Sequence, residues 1–362
     1  MSPSRPKSNY FVSNSSLSLS SLLRTQEREM TSSSLARYRR WISRFKFAYS
    51  QTKPSPSPPS ISSTAGRHNA DSDAPSGPPP IRVSLTGSAG RGVFATRKIG
   101  AGDLIHTAKP LVAHPLLSSV HHVCNFCLRK LQRNANANAD AHRPTFCCKE
   151  CERNSKVFHD VEMEADWSDY DKNCRERGLK YPLLVKRLAC MVISGAISSD
   201  HLDILQPSSL SPHMVSELKE GYSLLRKALV NASITDEQLL FLTQEWYTGV
   251  LARIRINAFR IELVGGYEDL LSLAAACVEA EAAVGNAVYM LPSFYNHDCD
   301  PNTHIIWINN ANARLKALRD VEPDEELRIC YIDASMDHEA RQTLLYQGFG
   351  FICNCARCSS GD

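Results

Sequence analysis

Ser293-Phe-Tyr-Asn-His-Asp-Cys-Asp-Pro-Asn302 decides how this chain is read, because it sets an amide, an imidazole and a thiol within the short run Asn296 to Cys299. Alone, an Asn-His pair is ordinarily a turn or a satisfied core histidine. Its surroundings argue otherwise. Twenty-three residues after Asn302 begins Glu325-Glu-Leu-Arg-Ile-Cys-Tyr-Ile-Asp333, an acidic pair leading into a strand-like run that contains Tyr331. Phe351-Ile-Cys-Asn-Cys-Ala-Arg-Cys358 follows, with three thiols in C-x-C-x2-C spacing, which suits metal better than a disulfide framework. Upstream, Gly87-Ser-Ala-Gly-Arg-Gly-Val-Phe-Ala95 is a glycine turn in which Gly90 and Gly92 let the backbone approach a ligand closely, since glycine has no Cβ.

The 362 residues suffice for one sizeable catalytic domain and a smaller module. Apolar and charged contents of 43% and 22% are those of an ordinary globular chain. The net charge of +3 is unevenly spread: residues 1–53 hold ten Arg or Lys against Glu27 and Glu29, so the remainder is net acidic. Direct nucleic-acid binding by the folded part is therefore not expected. Thirteen cysteines are many for this length, and most fall in two groups. No secretory signal opens the chain, and a reducing compartment is expected. The longest apolar run, Leu270 to Leu291, is broken by Glu279 and Glu281 and reads as a helix followed by a strand, so no membrane span is expected.

Residues 1–80 read as a basic, Ser- and Pro-rich tail. The segment from Ser34 to Phe47 has the composition of a mitochondrial or chloroplast transit peptide, with a nuclear address through Arg37, Arg39 and Arg40 as the alternative. Eight prolines within 51–80 mark a linker. Short β-like runs fill 81–123, a cysteine module fills 124–163, and an Asn/Ala stretch at 134–141 makes a loop within it. Residues 164–253 read as a helical insert, with helices expected at Tyr181–Ile193, Val215–Val230 and Thr235–Ala252. The β pattern returns in 254–345, with strands expected at Ile254–Leu263, Ala287–Met290, Thr303–Ile308, Ala313–Ala317 and Glu326–Ile332, before a cysteine-rich end at 346–362. The class is α+β: a β-rich unit split by a cysteine module and a helical insert.

Ser293–Asn302 resembles the Asn-His-Ser-Cys-x-Pro-Asn signature of SET domains, with Asp298 in place of the usual Ser. Glu325–Asp333 resembles the second signature of that family, Cys353–Cys358 its post-SET zinc segment, and Gly90-Arg91-Gly92 its N-terminal glycine turn. The resemblance covers about residues 81–358 and is nearest to the SET-and-MYND branch, in particular the short plant trithorax-related SET proteins. It implies a SET fold with a knot-like strand crossing, and transfer of a methyl group from S-adenosylmethionine to a lysine of a protein, histone or organellar. A catalytically silent zinc-stabilised scaffold is the alternative. By the same resemblance, Gly90, Arg91, Gly92, Asn257, Ser293, Asn296, His297, Tyr331 and Phe351 meet the cofactor, with Tyr331 the residue for catalysis. Phe259 and Phe349 line the lysine channel. Phe349 stands where SET-and-MYND relatives often carry a second Tyr, a departure that leaves more room around the nitrogen.

Two zinc ions are implied. One is held by Cys299, Cys353, Cys355 and Cys358. The other belongs to a partial MYND module, Cys124-x2-Cys127 with Cys147-x3-Cys151. That module has no middle cysteine pair and carries Met163 where a last cysteine would stand, so a single all-cysteine site is expected. Cys148 is a substitute ligand, and His159 is expected to stay outside it.

Overall fold

The computed structural model describes residues 77–131, 144–232, 234–264 and 283–362. The transit-like tail, most of the linker, the Asn/Ala stretch and the expected helix after Leu270 lie outside the described residues. The strands are β1 Ile81–Leu85, β2 Arg91–Ala95, β3 Leu104–Ala108, β4 Val112–Pro115, β5 Ala258–Glu262, β6 Ala283–Val288, β7 Asn296–His297, β8 Thr303–Ile306, β9 Ala313–Ala317 and β10 Glu326–Ile329. The helices are α1 Lys149–Ser155, α2 His159–Glu164, α3 Ser168–Glu176, α4 Tyr181–Ile193, α5 Pro212–Val230, α6 Asp236–Leu239, α7 Gln244–Asn257, α8 His338–Phe349 and α9 Ala356–Ser359. Among the described residues, no helix is long and apolar enough to cross a membrane.

Three small sheets carry the core, in the orders β1-β2-β10-β7, β3-β9-β8 and β4-β6-β5. β6 is buried at every position, so it reads as Ala-Val-Gly-Asn-Ala-Val rather than as an alternating strand. Gly285 within it has a steric reason. An added Cβ would lie 2.5 Å from the His114 carbonyl oxygen and 2.7 Å from a Leu128 methyl, where β4 and the cysteine module close on the strand. β7 pairs parallel with β10, setting Asn296 opposite Arg328 and His297 opposite Ile329. Two segments far apart in sequence thereby become neighbours.

The helical insert differs from expectation in two places. The helix expected over Thr235–Ala252 is two helices, because the Thr243 hydroxyl accepts from the Trp246 amide and starts a new one. That helix, α7, runs on to Asn257, so the strand expected from Ile254 begins only at Ala258. Tyr247, Val250, Leu251 and Ile254 are buried at helical spacing, and this buried stripe outweighs the strand preference of the Ile-rich end. The 254–345 boundary read from sequence therefore falls within α7.

Arg187, on α4, ties the insert to the sheets. Its buried guanidinium donates to Glu162 at 2.9 Å, the Ala113 carbonyl at 2.6 Å, and the Asn125 carbonyl and side chain at 2.8 Å each. It also lies 4.0 Å over the Phe158 ring. A buried cation needs such pairing, and here the pairing joins β4, α2 and the Cys124–Cys127 loop at one point.

Candidate active site and metal centres

The site is built where β2, β7 and β10 meet. The Asn296 amide donates to the Arg91 carbonyl at 3.0 Å and to Glu326 Oε1 at 2.7 Å. Both of its N–H groups are thus spent on acceptors, which leaves Oδ1 as the free end of the amide; among the described residues nothing donates to it. Glu326 is held in turn by Arg328 at 2.8 and 2.6 Å. Gly92 gives these side chains their room: an added Cβ would sit 2.5 Å from Glu326 Oε1 and 2.7 Å from the Thr86 methyl, and both would have to shift. Gly90 has φ +71°, the left-handed region that glycine enters without strain. The Arg91 guanidinium lies 4.6 Å over Phe294 and donates to the Ile204 carbonyl. Buried Asn302 staples β8 to β10, donating to the Glu326 carbonyl at 2.8 Å and accepting from the Arg328 amide at 2.9 Å.

Tyr331 lies two residues beyond β10. Its hydroxyl donates to the Tyr295 carbonyl at 2.6 Å, and its amide donates to His297 Nδ1 at 3.1 Å. Its ring lies 4.9 Å from Phe349 and 6.4 Å from Phe351, and His297 lies 5.9 Å from Phe351, so the four rings form one group. Burial, helped by the Glu326 charge, pushes the Tyr331 phenol well above its ordinary range, so it stays protonated. Burial lowers His297 to about 4 and keeps it neutral.

His106, on β3, stands behind this group with Nε2 3.0 Å from the Tyr295 hydroxyl. Burial lowers its ring to about 4, from the ordinary 6.5. The unfolded chain takes up that proton at about 6.5 and the folded chain only near 4, so protonation favours unfolding between those values. This ring's contribution is complete above about pH 6.5 and is lost as the pH falls toward 4, by on the order of 3 kcal/mol. Urea midpoints of the wild type and His106→Gln at pH 7 and pH 4.5 check it: the variant should lose less on acidification.

Two groups of four thiols could each hold a metal ion. The sulfurs of Cys299, Cys353, Cys355 and Cys358 lie within 4.8 Å of one another, as do those of Cys124, Cys127, Cys147 and Cys151. A tetrahedral ion with sulfurs at about 2.3 Å needs S···S distances of about 3.8 Å. The observed 3.5 Å for Cys299–Cys358, 3.6 Å for Cys127–Cys147 and 3.5 Å for Cys147–Cys151 fit that demand. Cys148 is exposed and caps α1 through the Cys151 amide, outside the four. His159 opens α2, edge-on to Phe146 at 5.3 Å, and is also outside.

The SET-domain family model matches residues 90–332. The chain belongs to the SET-domain family. Histone-lysine N-methyltransferase ATXR4 of Arabidopsis thaliana is 61% identical over 323 residues, covering 89% of this chain and 98% of that protein. A SET and MYND domain-containing protein of Dictyostelium discoideum is 24% identical over 279 residues, with 72% and 78% covered. Human histone-lysine N-methyltransferase SMYD3 is 27% identical over 297 residues; the match takes in 78% of this chain but 63% of that protein.

In this SET domain Arg91, Gly92, Asn296, His297, Tyr331, Phe349 and Phe351 form one connected group. Three expected residues stand apart from it by their contacts. Asn257 is the last residue of α7, not part of a strand, and its amide donates to the Arg253 carbonyl at 2.7 Å and the Gln206 carbonyl at 2.9 Å. Phe259 packs on Tyr289 and Trp307, at 5.5 and 6.3 Å. The Ser293 hydroxyl donates to the Tyr289 carbonyl at 2.6 Å. Tyr295, Glu326 and His106 were not singled out from the sequence. Tyr295 and Glu326 lie inside the quoted signatures, which was the available signal; nothing local marks His106.

Proposed function

We propose that this SET domain transfers a methyl group from S-adenosylmethionine to the ε-amine of a lysine in a protein. The observation that carries the reading is the parallel β7–β10 pairing, which delivers Tyr331 to the Tyr295 carbonyl inside a ring of aromatic side chains. Bound S-adenosylmethionine supplies a methyl group on a cationic sulfonium, which an amine lone pair can attack in line. The acceptor-rich wall fits such a cation, since Asn296 Oδ1 is open and Glu326 stands behind it.

A lysine amine carries its proton up to a pKa of about 10.4, and only the neutral form has the lone pair. An enclosure walled by Tyr331, Phe349 and Phe351 withholds water from the amine, and this desolvation disfavours the ammonium and favours the neutral form. Tyr331 cannot serve as a base, because its phenol is held protonated. Its one proton is committed to the Tyr295 carbonyl, so its oxygen can only accept. An amine N–H bonded to that oxygen leaves the lone pair aimed elsewhere, toward the methyl donor, and this positioning supplies much of the rate. Gly90, Arg91, Gly92, Asn296, His297, Ser293 and Phe351 hold the cofactor; Asn257, its amide donors engaged, offers Oδ1 alone. Phe349 and Phe259 wall the lysine channel, and Phe349 brings no second hydroxyl to anchor a water.

Both thiol groups take zinc in this reading, since four closed thiolates suit a structural zinc ion. The relatives' names point to histones as substrates, whereas the basic Ser-rich segment before residue 50 points to an organellar protein; imaging a full-length fluorescent fusion separates these. The activity is tested by incubating the purified chain with methyl-labelled S-adenosylmethionine and nuclear or organelle extract. Label on a protein lysine is expected. Absence of any labelled protein would overturn the enzyme in favour of the silent scaffold.

A further inference from the structure

The hydrogen bond between the buried side chains of His106 and Tyr295 takes no part in the roles above. His106 lies in the β3-β9-β8 sheet, whereas Tyr295 closes the short 3-10 turn Pro292–Phe294 and leads into β7 in the other sheet. The two side chains are 4% and 0% exposed, with Nε2 and the hydroxyl 3.0 Å apart. At neutral pH both groups are uncharged, and the bond between them forms whichever of the two donates. Such a bond between buried partners is costly to half-remove, because the remaining polar atom has no water to turn to.

Tyr295 carries a second contact from its backbone. Its carbonyl is the acceptor for the Tyr331 hydroxyl at 2.6 Å. One residue therefore holds both an anchor, its phenol, and a seat, its carbonyl. β7 is two residues long and contributes little sheet bonding of its own to hold that peptide plane. The backbone also changes direction at Tyr295, from the 3-10 turn to an extended ψ of 121°. The next residue, Asn296, is held by Arg91 and Glu326, and the bond to His106 is the tie that Tyr295 makes through its own side chain, to β3.

We propose that His106 is a positioning residue for methyl transfer: by tying the Tyr295 phenol to β3, it fixes the carbonyl on which the Tyr331 hydroxyl sits. The inference rests on the reading that Tyr331 meets the lysine amine. Loss of the tether frees the carbonyl to turn, and the Tyr331 oxygen moves with it. Misplacement by about 1 Å costs about 10²-fold in rate, so a partial turn should cost about tenfold.

The test uses the full chain with methyl-labelled S-adenosylmethionine and unfractionated cell extract as methyl acceptor. His106→Leu, Tyr295→Phe, the double variant, His106→Gln and Tyr331→Phe are compared by maximal rate and by KM for S-adenosylmethionine. His106→Leu and Tyr295→Phe should each lower the maximal rate about tenfold with KM held within about twofold. The double variant should be no slower than either single one, since all three remove the same bond. His106→Gln, which keeps a polar group within reach of the phenol, should recover most of the rate. Wild-type rates in His106→Leu and Tyr295→Phe, additive losses in the double variant, or no recovery in His106→Gln would each overturn the positioning role. Should His106→Leu fail to fold, Tyr295→Phe carries the test, as it removes a single oxygen. An undiminished rate in Tyr331→Phe would instead sink the reading on which the inference rests.

Discussion

Tyr331→Phe is expected to lower the maximal methyl-transfer rate by about 10²-fold while leaving the KM for S-adenosylmethionine within about twofold. The change removes one oxygen and leaves the ring, so the packing on Phe349 at 4.9 Å and on His297 at 5.3 Å is kept. What disappears is an acceptor pinned in place by its own hydrogen bond to the Tyr295 carbonyl. Without it the amine still enters an aromatic enclosure, but nothing turns its lone pair toward the methyl group. The loss therefore falls on the chemical step rather than on cofactor binding. A rise in KM with an unchanged maximal rate would assign Tyr331 to binding instead.

Cys299→Ser is expected to reduce bound zinc from about two ions per chain to about one and to abolish turnover, although Cys299 touches no reacting atom. Its sulfur lies 3.5 Å from Cys358 and 3.3 Å from His297 Nε2. Cys299, Cys353, Cys355, Cys358 and Leu345 form one buried cluster, and Tyr331, Phe349 and Phe351 pack against it. The thiol cluster thus backs the aromatic wall. Cys127→Ser provides the contrast: it too should lose about one zinc, but its group lies in the cysteine module, so a larger share of the activity should survive. Metal content by elemental analysis, paired with the labelling rate, checks both. Equal loss of activity in the two variants would show that the zinc ions support the fold generally, without a special tie to the wall.

The residues that the structure brings together were legible because they sit in contiguous runs. Asn296, His297 and Cys299 lie within four positions, and Cys353, Cys355 and Cys358 within six. Thiol spacing is itself a geometric statement, so both groups of four could be listed from sequence and are found together in space. The misreadings came where burial competed with local preference. Arg255-Ile-Asn257 has the residues of a strand, yet a buried stripe beginning at Tyr247 carries α7 through Asn257. Phe259 was read on the same strand, and it does fall in one, β5, where its ring packs on Tyr289 and Trp307.

By itself, the sequence determined the fold family, the two thiol groups and the identity of the tyrosine just beyond β10. These depend on residue type and spacing along the chain, which folding does not alter. Only the tertiary structure decided what Tyr331 does with its proton, which way the Asn296 amide faces, and that His106 meets the Tyr295 hydroxyl. His106 and Tyr295 are 189 residues apart, and Asn296 and Arg91 are 205 apart. A hydrogen bond has a direction and a length of about 3 Å, and no pattern in the chain encodes either until the strands that carry its two ends have been laid side by side.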